Sequence, residues 1–346
     1  MHRHFHSEGK MDSFQKDIDD RVHLTQSNRF ELLLFRLGTP AHGSTEAELF
    51  GINVFKLREI VPMPAYTKPA GIRPPVMGVV NIRDQIIPVI DLPSLLGCRA
   101  ESGLNILLIT EYARSVQAFA VESVDNIVRL DWSQVHTAEK AVNGQYITSI
   151  ASLNDDAQSS ELAMVIDVEQ ILYDIAPADH QLHAGKISAQ AQQIKTGATA
   201  IVAEDSRVAR VMLEKAMAAM AIPARMHVTG QQAWESIEKL LKEAQDEGVP
   251  VSDKIALVLT DLEMPEMDGF TLTRKIKSDP RLSGIPVVIH SSLSGSANVD
   301  HIRKVNADGY VAKFEINELS SVIEEVLARA SRGERGPLVC RLHAVK

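Results

Sequence analysis

The chain has 346 residues, which is enough for two domains that each bury a core. Its net charge of −9 is uneven: residues 1–180 hold 15 Lys and Arg against 24 Asp and Glu, and residues 181–346 hold 21 of each. Neither half carries the positive field that a nucleic-acid partner requires, and aromatic residues make up only 5% of the chain, so nucleic-acid binding is not expected.

Cysteine usage and hydropathy indicate the compartment. Cys98 and Cys340 look like neither a disulfide framework nor a metal-binding set, which predicts a reducing environment. No apolar run reaches the ~18 residues of a membrane helix, and the N-terminus lacks the apolar region of a signal peptide. We therefore expect a cytoplasmic protein without direct membrane insertion.

Residues 1–27 are predicted to be a leader that is partly disordered or forms a short helix. The first ten residues have no hydrophobic period, and Met11 is a more natural start than Met1. Apolar residues then recur every four positions, as in a short amphipathic helix, at Phe14, Ile18 and Val22.

Residues 28–178 are predicted to be an all-β domain. Closely spaced runs rich in Val, Ile and Leu alternate with Gly, Pro, Asn and Asp, without a helix of more than about two turns between them. This pattern predicts a pair of small, closed or nearly closed barrels. The runs are FELLLFRLG, LFGINVFKLREIV, VMGVV, IIPVIDL, NILLIT, AFAVESVDNIVRL, ITSIASL and LAMVIDV.

A hairpin is predicted in GVVNIRDQIIPVIDL, with the tight turn formed by Arg83, Asp84 and Gln85. The residues alone favour two interpretations of Arg83 equally. One is a solvated turn cation, and the other is an anchor that binds a carboxylate or carbonyl of a partner. No nucleophile–base arrangement and no glycine-rich phosphate loop is visible in this half of the sequence, so we interpret it as a binding module.

Residues 179–197 are polar and rich in Gln and Ala, which predicts a linker. In residues 198–331 five strands alternate with five helices, which predicts a doubly wound, five-stranded parallel sheet with the flavodoxin-like order 2-1-3-4-5. The helices are expected at 206–220 and 230–246, and after the runs IALVLT, IPVVIH and GYVA. Residues 332–346 are predicted to be a mobile tail.

Asp261 is the most informative residue of this second half. The first strand ends at Glu204 and Asp205 and the third at Asp261, so three carboxylates are expected to converge at one edge of the sheet. Two ionised carboxylates ~5 Å apart repel by roughly 3 kcal/mol at an effective dielectric of ~20. Clustered oxygen ligands suit Mg²⁺, which would remove this repulsion.

The chemistry that this arrangement predicts is phosphorylation of Asp261, because a carboxylate can form an acyl phosphate. Lys313 is expected to neutralise charge on the transferring group, and the Ser291 hydroxyl to donate to a phosphoryl oxygen. Tyr310 is expected to turn into the space that Ser291 vacates. Each residue alone has an ordinary explanation, such as a helix cap or a solvated charge, but their positions at successive strand ends favour a functional site.

With these residues in place, 198–331 resemble a response-regulator receiver domain. The resemblance implies metal contacts from Asp205, Asp261 and the backbone carbonyl of Glu263, with Glu204 acting through water. Two departures concern the loops. Lys313 is followed by Phe314 where the family often has a proline, and Ser291 stands at the position of the switch threonine.

Over about residues 28–176 the quoted runs resemble the CheW-like chemotaxis coupling domain. This resemblance implies two five-stranded barrels that join the cytoplasmic tips of membrane chemoreceptors to a histidine kinase, with Arg83 in partner binding. Asp84 stands where the family usually has glycine, and residues 41–48 are expanded.

A coupling domain followed by a receiver resembles the CheV type of chemotaxis coupling protein. We therefore predict a scaffold rather than an enzyme, phosphorylated on Asp261 by the kinase so that coupling is modulated, which gives adaptation. One alternative is a phosphate sink whose coupling does not depend on phosphorylation. Another is a response regulator with an enzymatic or DNA-binding output, which the short tail after Arg332 and the acidic first half disfavour.

Overall fold

The structure is a computed structural model. It describes residues 29–40, 48–112, 115–138, 146–154, 161–175, 197–291, 305–313 and 316–334. The predicted leader, nearly all of the predicted linker and most of the predicted tail lie outside these residues. The chain forms two compact units, Met1–Val168 and Glu169–Lys346, and each is described by itself.

The first unit is built from strands. These are β1 (Arg29–Arg36), β2 (Thr39–Pro40), β3 (Leu49–Asn53), β4 (Leu57–Pro62), β5 (Val76–Ile82), β6 (Gln85–Asp91), β7 (Cys98–Arg99), β8 (Ile106–Tyr112), β9 (Ser115–Val121), β10 (Ser123–Asp131), β11 (Val135–Thr137), β12 (Ile147–Ser152) and β13 (Leu162–Ile166). A five-residue helix, α1 (Leu92–Leu96), follows β6. One sheet has the order β10-β1-β3-β13-β12-β11, a second has the order β4-β8-β9-β6-β5, and β2 pairs with β7.

Two of the predicted runs cross between these sheets. LFGINVFKLREIV supplies β3 to the first sheet and β4 to the second, with a 3₁₀ turn at Val54–Lys56 between them. The Asn53 side chain accepts a hydrogen bond from the Phe55 N–H, which stabilises that turn. AFAVESVDNIVRL supplies β9 to the second sheet and β10 to the first. The chain passes between the two sheets at Glu122, which lies between these strands. The all-β class is confirmed, and β11 gives the first sheet six strands rather than five.

The predicted hairpin is formed by β5 and β6, with Ile82 paired to Gln85. Only Arg83 and Asp84 remain in the loop, at φ angles of 50° and 63°. Positive φ at both central residues is the geometry of a type I′ turn, and Asp is among the residues that tolerate it best. The turn is therefore one residue tighter than the sequence predicted, because Gln85 already belongs to β6.

The second unit contains a parallel sheet. Its strands are β14 (Thr199–Ala203), β15 (Ala224–His227), β16 (Ile255–Thr260), β17 (Val287–Ser291) and β18 (Gly309–Ala312). The order β15-β14-β16-β17-β18, with every neighbouring pair parallel, confirms the predicted 2-1-3-4-5 arrangement. The strands β14 and β17 are buried along their whole length, as expected for a sheet covered on both faces.

Among the described residues, the helices after α1 are α2 (Val168–Ile175), α3 (Arg207–Ala219), α4 (Gly230–Glu247), α5 (Gly269–Ser278) and α6 (Ile316–Ser331). The predicted boundaries of α3 and α4 agree with these to within a residue. Side chains of Ser206, Thr229 and Asp268 cap α3, α4 and α5. The helix predicted after β17 falls on residues 292–304, outside the described part of the chain. Within that described part, none of the helices combines the length and apolarity needed to cross a membrane.

Candidate functional site

The carboxyl edge of the parallel sheet brings three acidic side chains together. Glu204 and Asp205 follow β14, and Asp261 follows β16, whose last residues pair with those of β14. The Asp261 N–H donates to the Ala203 carbonyl at 2.9 Å, which continues the ladder into the site. One carboxylate oxygen from each acid lies within 4.8 Å of the others. The cluster does not include the Glu263 side chain, and the role expected of its backbone carbonyl stays a prediction.

Lys313 extends into this cluster from the end of β18. Its side chain is only 1% exposed, and Nζ lies 2.7 Å from Glu204 Oε1 and 2.9 Å from Asp261 Oδ2. Its N–H is also fixed, because it donates to the Ser291 carbonyl at 3.0 Å. The predicted cation and the predicted phosphoryl acceptor are therefore in direct contact.

Glu169 is a fourth acid of the site that the sequence did not predict. It lies in α2, is fully buried, and accepts from Lys313 Nζ with Oε1 at 2.9 Å and Oε2 at 3.2 Å. The contact joins residues 144 positions apart. No local pattern marks Glu169, so the only signal was its place in the run LAMVIDVEQIL beside buried apolar residues.

Burial and charge shift the pKa values of this cluster. Burial acts to lower the pKa of Lys313, but the carboxylates of Asp261, Glu169 and Glu204 outweigh it and raise that pKa well above its usual range. Burial raises the pKa of Glu204, and the neighbouring Asp261, Glu169 and Asp205 charges raise it further, against the opposing effect of Lys313. The acids thus hold Lys313 charged, and they repel one another.

These residues fit a hard divalent cation. Glu204 is fully buried, and among the described residues its Oε2 has no hydrogen-bond partner. His290 Nδ1 lies 3.6 Å from Glu204 Oε2, and burial followed by the Lys313 charge lowers the His290 pKa to about 3. A neutral imidazole gives Glu204 no compensating charge. A buried carboxylate oxygen without a partner, beside two further acids, is a donor set that suits Mg²⁺.

Ser291 and Tyr310 lie on the strands that flank the lysine. Ser291 is the buried last residue of β17. Tyr310 lies within β18 and packs, half-buried, against Leu262, Ile289 and Ala307. Burial and then the Asp261 charge raise the pKa of the Tyr310 hydroxyl. The residues after Ser291 lie outside those described, so the predicted movements of Ser291 and Tyr310 stay predictions.

The loop after Asp261 depends on a glycine that the sequence reasoning treated only as part of a turn. A Cβ at Gly269 would lie 1.9 Å from the Asp261 carbonyl oxygen, closer than any side chain permits. The Gly269 N–H donates to the Leu262 carbonyl at 2.9 Å, and the Leu262 N–H donates to Asp261 Oδ1 at 2.6 Å. Gly269 therefore lets α5 start against the backbone of the acceptor residue.

Arg83 belongs to the first unit. Its Nη2 lies 2.9 Å from Oε2 of Glu59, whose side chain is 7% exposed, while the Arg83 side chain is 73% exposed. Ile86, three residues further along the hairpin, is 63% exposed. The guanidinium thus has an intramolecular partner and an open face, and its role in partner binding stays a prediction.

Comparison with known proteins defines the class. Residues 31–176 match the CheW-like domain family, and residues 200–324 match the response regulator receiver domain family. The chain is a chemotaxis signalling protein that combines these two domains. The receiver match agrees with the parallel sheet and with the acidic edge described above.

Relatives over most of the chain specify the protein further. Chemotaxis proteins CheV3 and CheV2 of Helicobacter pylori are each 26% identical to it, over 87% and 90% of this chain and 95% and 99% of theirs. CheV1 of the same organism is 26% identical over 90% of this chain and 98% of its own length. The chain is thus similar to CheV proteins over most of its length, and it joins a CheW-like domain to a receiver domain.

Proposed function

We propose that this protein is a cytoplasmic chemotaxis scaffold whose CheW-like domain couples membrane chemoreceptors to a histidine kinase. Its receiver domain is phosphorylated on Asp261, and this modification modulates coupling and so provides adaptation. The protein acts as a scaffold and phosphoryl acceptor rather than as an enzyme. The observation that supports this proposal is the contact of 2.9 Å between Lys313 Nζ and Asp261 Oδ2 beside two further acids.

Phosphoryl transfer to Asp261 replaces a P–N bond of the kinase with a P–O bond. A carboxylate oxygen of Asp261 attacks the phosphorus of a phosphohistidine, a P–O bond forms and the P–N bond breaks. The histidine nitrogen keeps the electron pair of the broken bond and takes up a proton. Lys313 donates to the transferred group, whose product adds a charge of about −1.5 to −2. Ser291 supplies a hydroxyl donor at the neighbouring strand end.

Mg²⁺ held by Asp205, Asp261 and the Glu263 carbonyl, with Glu204 acting through water, would supply charge neutralisation when bound. The chain's own part is to gather these oxygen ligands in a buried edge and to keep Lys313 protonated there. Arg83 is proposed as the anchor in the CheW-like domain that binds a partner's carboxylate or carbonyl.

Phosphotransfer to the full chain tests the proposal. Purified protein would be incubated with Mg²⁺ and the ³²P-labelled histidine kinase of a chemotaxis system, comparing wild type with Asp261→Asn. Asp268→Asn is the matched control, because Asp268 is a half-buried acid of the same loop but serves as the cap of α5. Labelling is expected in wild type and in the control, and is expected to vanish in Asp261→Asn. Label that persists in Asp261→Asn would refute the site.

A further inference from the structure

The Lys313 ammonium is shared among three acids. It donates to Asp261, to Glu204 and, with two short contacts, to Glu169. An ammonium group has three N–H donors, so this set uses its whole donor capacity. Glu204 and Asp261 follow from the strand ends of the receiver sheet. Glu169 comes from α2 and lies outside residues 200–324, the part of the chain that matches the receiver family.

The Glu169 carboxylate competes with a phosphoryl group on Asp261 for a hydrogen bond from Lys313. A phosphoryl oxygen on Asp261 requires a charge-assisted hydrogen bond from a cationic side chain, and Lys313 Nζ lies 2.9 Å from Asp261 Oδ2. Glu204 belongs to the acidic cluster itself and is fully buried at the end of β14. The hydrogen bond from Lys313 to Glu169 is therefore the one that a hydrogen bond to the phosphoryl group can replace.

Electrostatic repulsion also favours displacement of Glu169 by a phosphoryl group. Glu169, Glu204, Asp205 and Asp261 set four carboxylates against the single charge of Lys313. A phosphoryl group adds about −1.5 to −2 more. At an effective dielectric of ~20, two unit charges ~5 Å apart interact by roughly 3 kcal/mol, so a buried Glu169 carboxylate opposes the product strongly.

We propose that Glu169 is a positioning residue that holds Lys313 in the unphosphorylated state, and that phosphorylation of Asp261 displaces the Glu169 carboxylate. This inference rests on the proposed phosphorylation of Asp261. Helix α2 follows β13 with only Asp167 between them, so the displaced side chain belongs to a helix continuous with a strand of the CheW-like domain. The displacement is thus a route by which a phosphoryl group acts on α2.

Binding of beryllofluoride, a phosphoryl mimic, to the full chain at saturating Mg²⁺ tests this directly. Glu169→Gln keeps the shape of the side chain but removes its charge, and Asp174→Asn removes one charge from an exposed position of the same helix. We expect Glu169→Gln to bind beryllofluoride about tenfold more tightly than wild type, as loss of one competing charge-assisted hydrogen bond predicts. Asp174→Asn should bind it with the wild-type affinity.

Two further measurements separate this role from a structural one. Titration calorimetry should show weaker Mg²⁺ binding by Glu169→Gln, because a nearby negative charge is lost, although the mimic binds more tightly. If the substitution instead disturbed the packing of the site, binding of Mg²⁺ and binding of beryllofluoride would both be weaker. Hydrogen exchange of wild type needs no variant, and the amides of residues 168–175 should exchange faster once beryllofluoride is bound.

The outcomes distinguish the two proposals. If wild type binds the mimic and Asp261→Asn does not, but Glu169→Gln binds it no more tightly than wild type, the role of Glu169 is refuted and the acceptor site stands. Unchanged exchange in residues 168–175 also refutes the displacement. If neither wild type nor Glu169→Gln binds the mimic, both proposals fail.

Discussion

The acids around Lys313 repel one another, which lowers the stability of the second unit. Glu204, Asp205 and Asp261 place carboxylate oxygens within 4.8 Å of one another. Like charges at this distance repel by about 3 kcal/mol per pair at an effective dielectric of ~20, and one lysine cannot offset every pair. A cation would stabilise such a site, so we expect the proposed Mg²⁺ binding to be linked to the folding of the second unit.

Substitution of Asp205 tests this link. Asp205→Asn removes one charge, and we expect it to raise the free energy of unfolding by about 1 kcal/mol in EDTA. Mg²⁺ at a hundredfold excess over its Kd should stabilise wild type by about 2.7 kcal/mol and the variant by much less. Urea unfolding would be followed through Trp234 of α4 in a Trp132→Phe background. A variant less stable than wild type in EDTA would contradict the expectation.

Cys98 illustrates burial acting on a single residue. Burial, with a smaller contribution from Glu48, raises the pKa of its thiol from 9.0 to about 11. The thiolate is the reactive form, and its fraction falls tenfold for each unit by which the pKa exceeds the pH. At pH 8 we therefore expect alkylation by iodoacetamide about 100-fold slower in the native protein than in urea. The rate should rise with pH up to about 11.

A Cys340→Ser background isolates Cys98 in this measurement, since these are the two cysteines of the chain. Native and urea-unfolded rates within a few-fold of each other would show that the thiol of Cys98 is not protected by its surroundings.

Elements were predictable from the sequence where a local pattern dictates them. The five strands of the receiver and their order follow from short apolar runs that alternate with amphipathic helices, and four of the five runs, all except the one that forms β15, end at a predicted site residue. The switch of LFGINVFKLREIV between two sheets was not visible, because an apolar run looks alike whichever sheet it joins. Glu169 was missed for a related reason, since its contact with Lys313 exists only in the tertiary structure.

The start of α5 is an element whose stability depends on one cap. Asp268 Oδ1 accepts from the Thr271 N–H at 2.6 Å, and Oδ2 accepts from the Thr271 hydroxyl at 3.2 Å. We expect Asp268→Ala to cost about 1–2 kcal/mol, as lost caps do, and Asp268→Asn to cost less because its amide oxygen can still accept. Urea unfolding at pH 7 measures both variants. Equal losses in the two would show that charge, not capping, matters at this position.

At the scale of the whole molecule, a switch and a phosphate sink use the same acceptor residue. They differ in whether the phosphorylated state changes what the chain does for its partners. A modification shifts such an equilibrium only through contacts that differ between the two states. The contact of Glu169 with Lys313 is one such difference, because it uses the N–H that a phosphoryl oxygen requires. This contact favours the interpretation of the protein as a switch over its interpretation as a phosphate sink.

Reconstituted receptor–kinase assemblies containing the full chain distinguish the two. With wild type, adding acetyl phosphate and Mg²⁺ should change kinase activity, by a factor within the range of about 5–150 that typical coupling free energies allow. Asp261→Asn should be insensitive to acetyl phosphate. Glu169→Gln should shift kinase activity in the same direction without any phosphodonor, because its hold on Lys313 is already weakened. Kinase activity that stays constant with phosphorylated wild type would instead identify a sink, in which the receiver drains phosphoryl groups and coupling is unaffected.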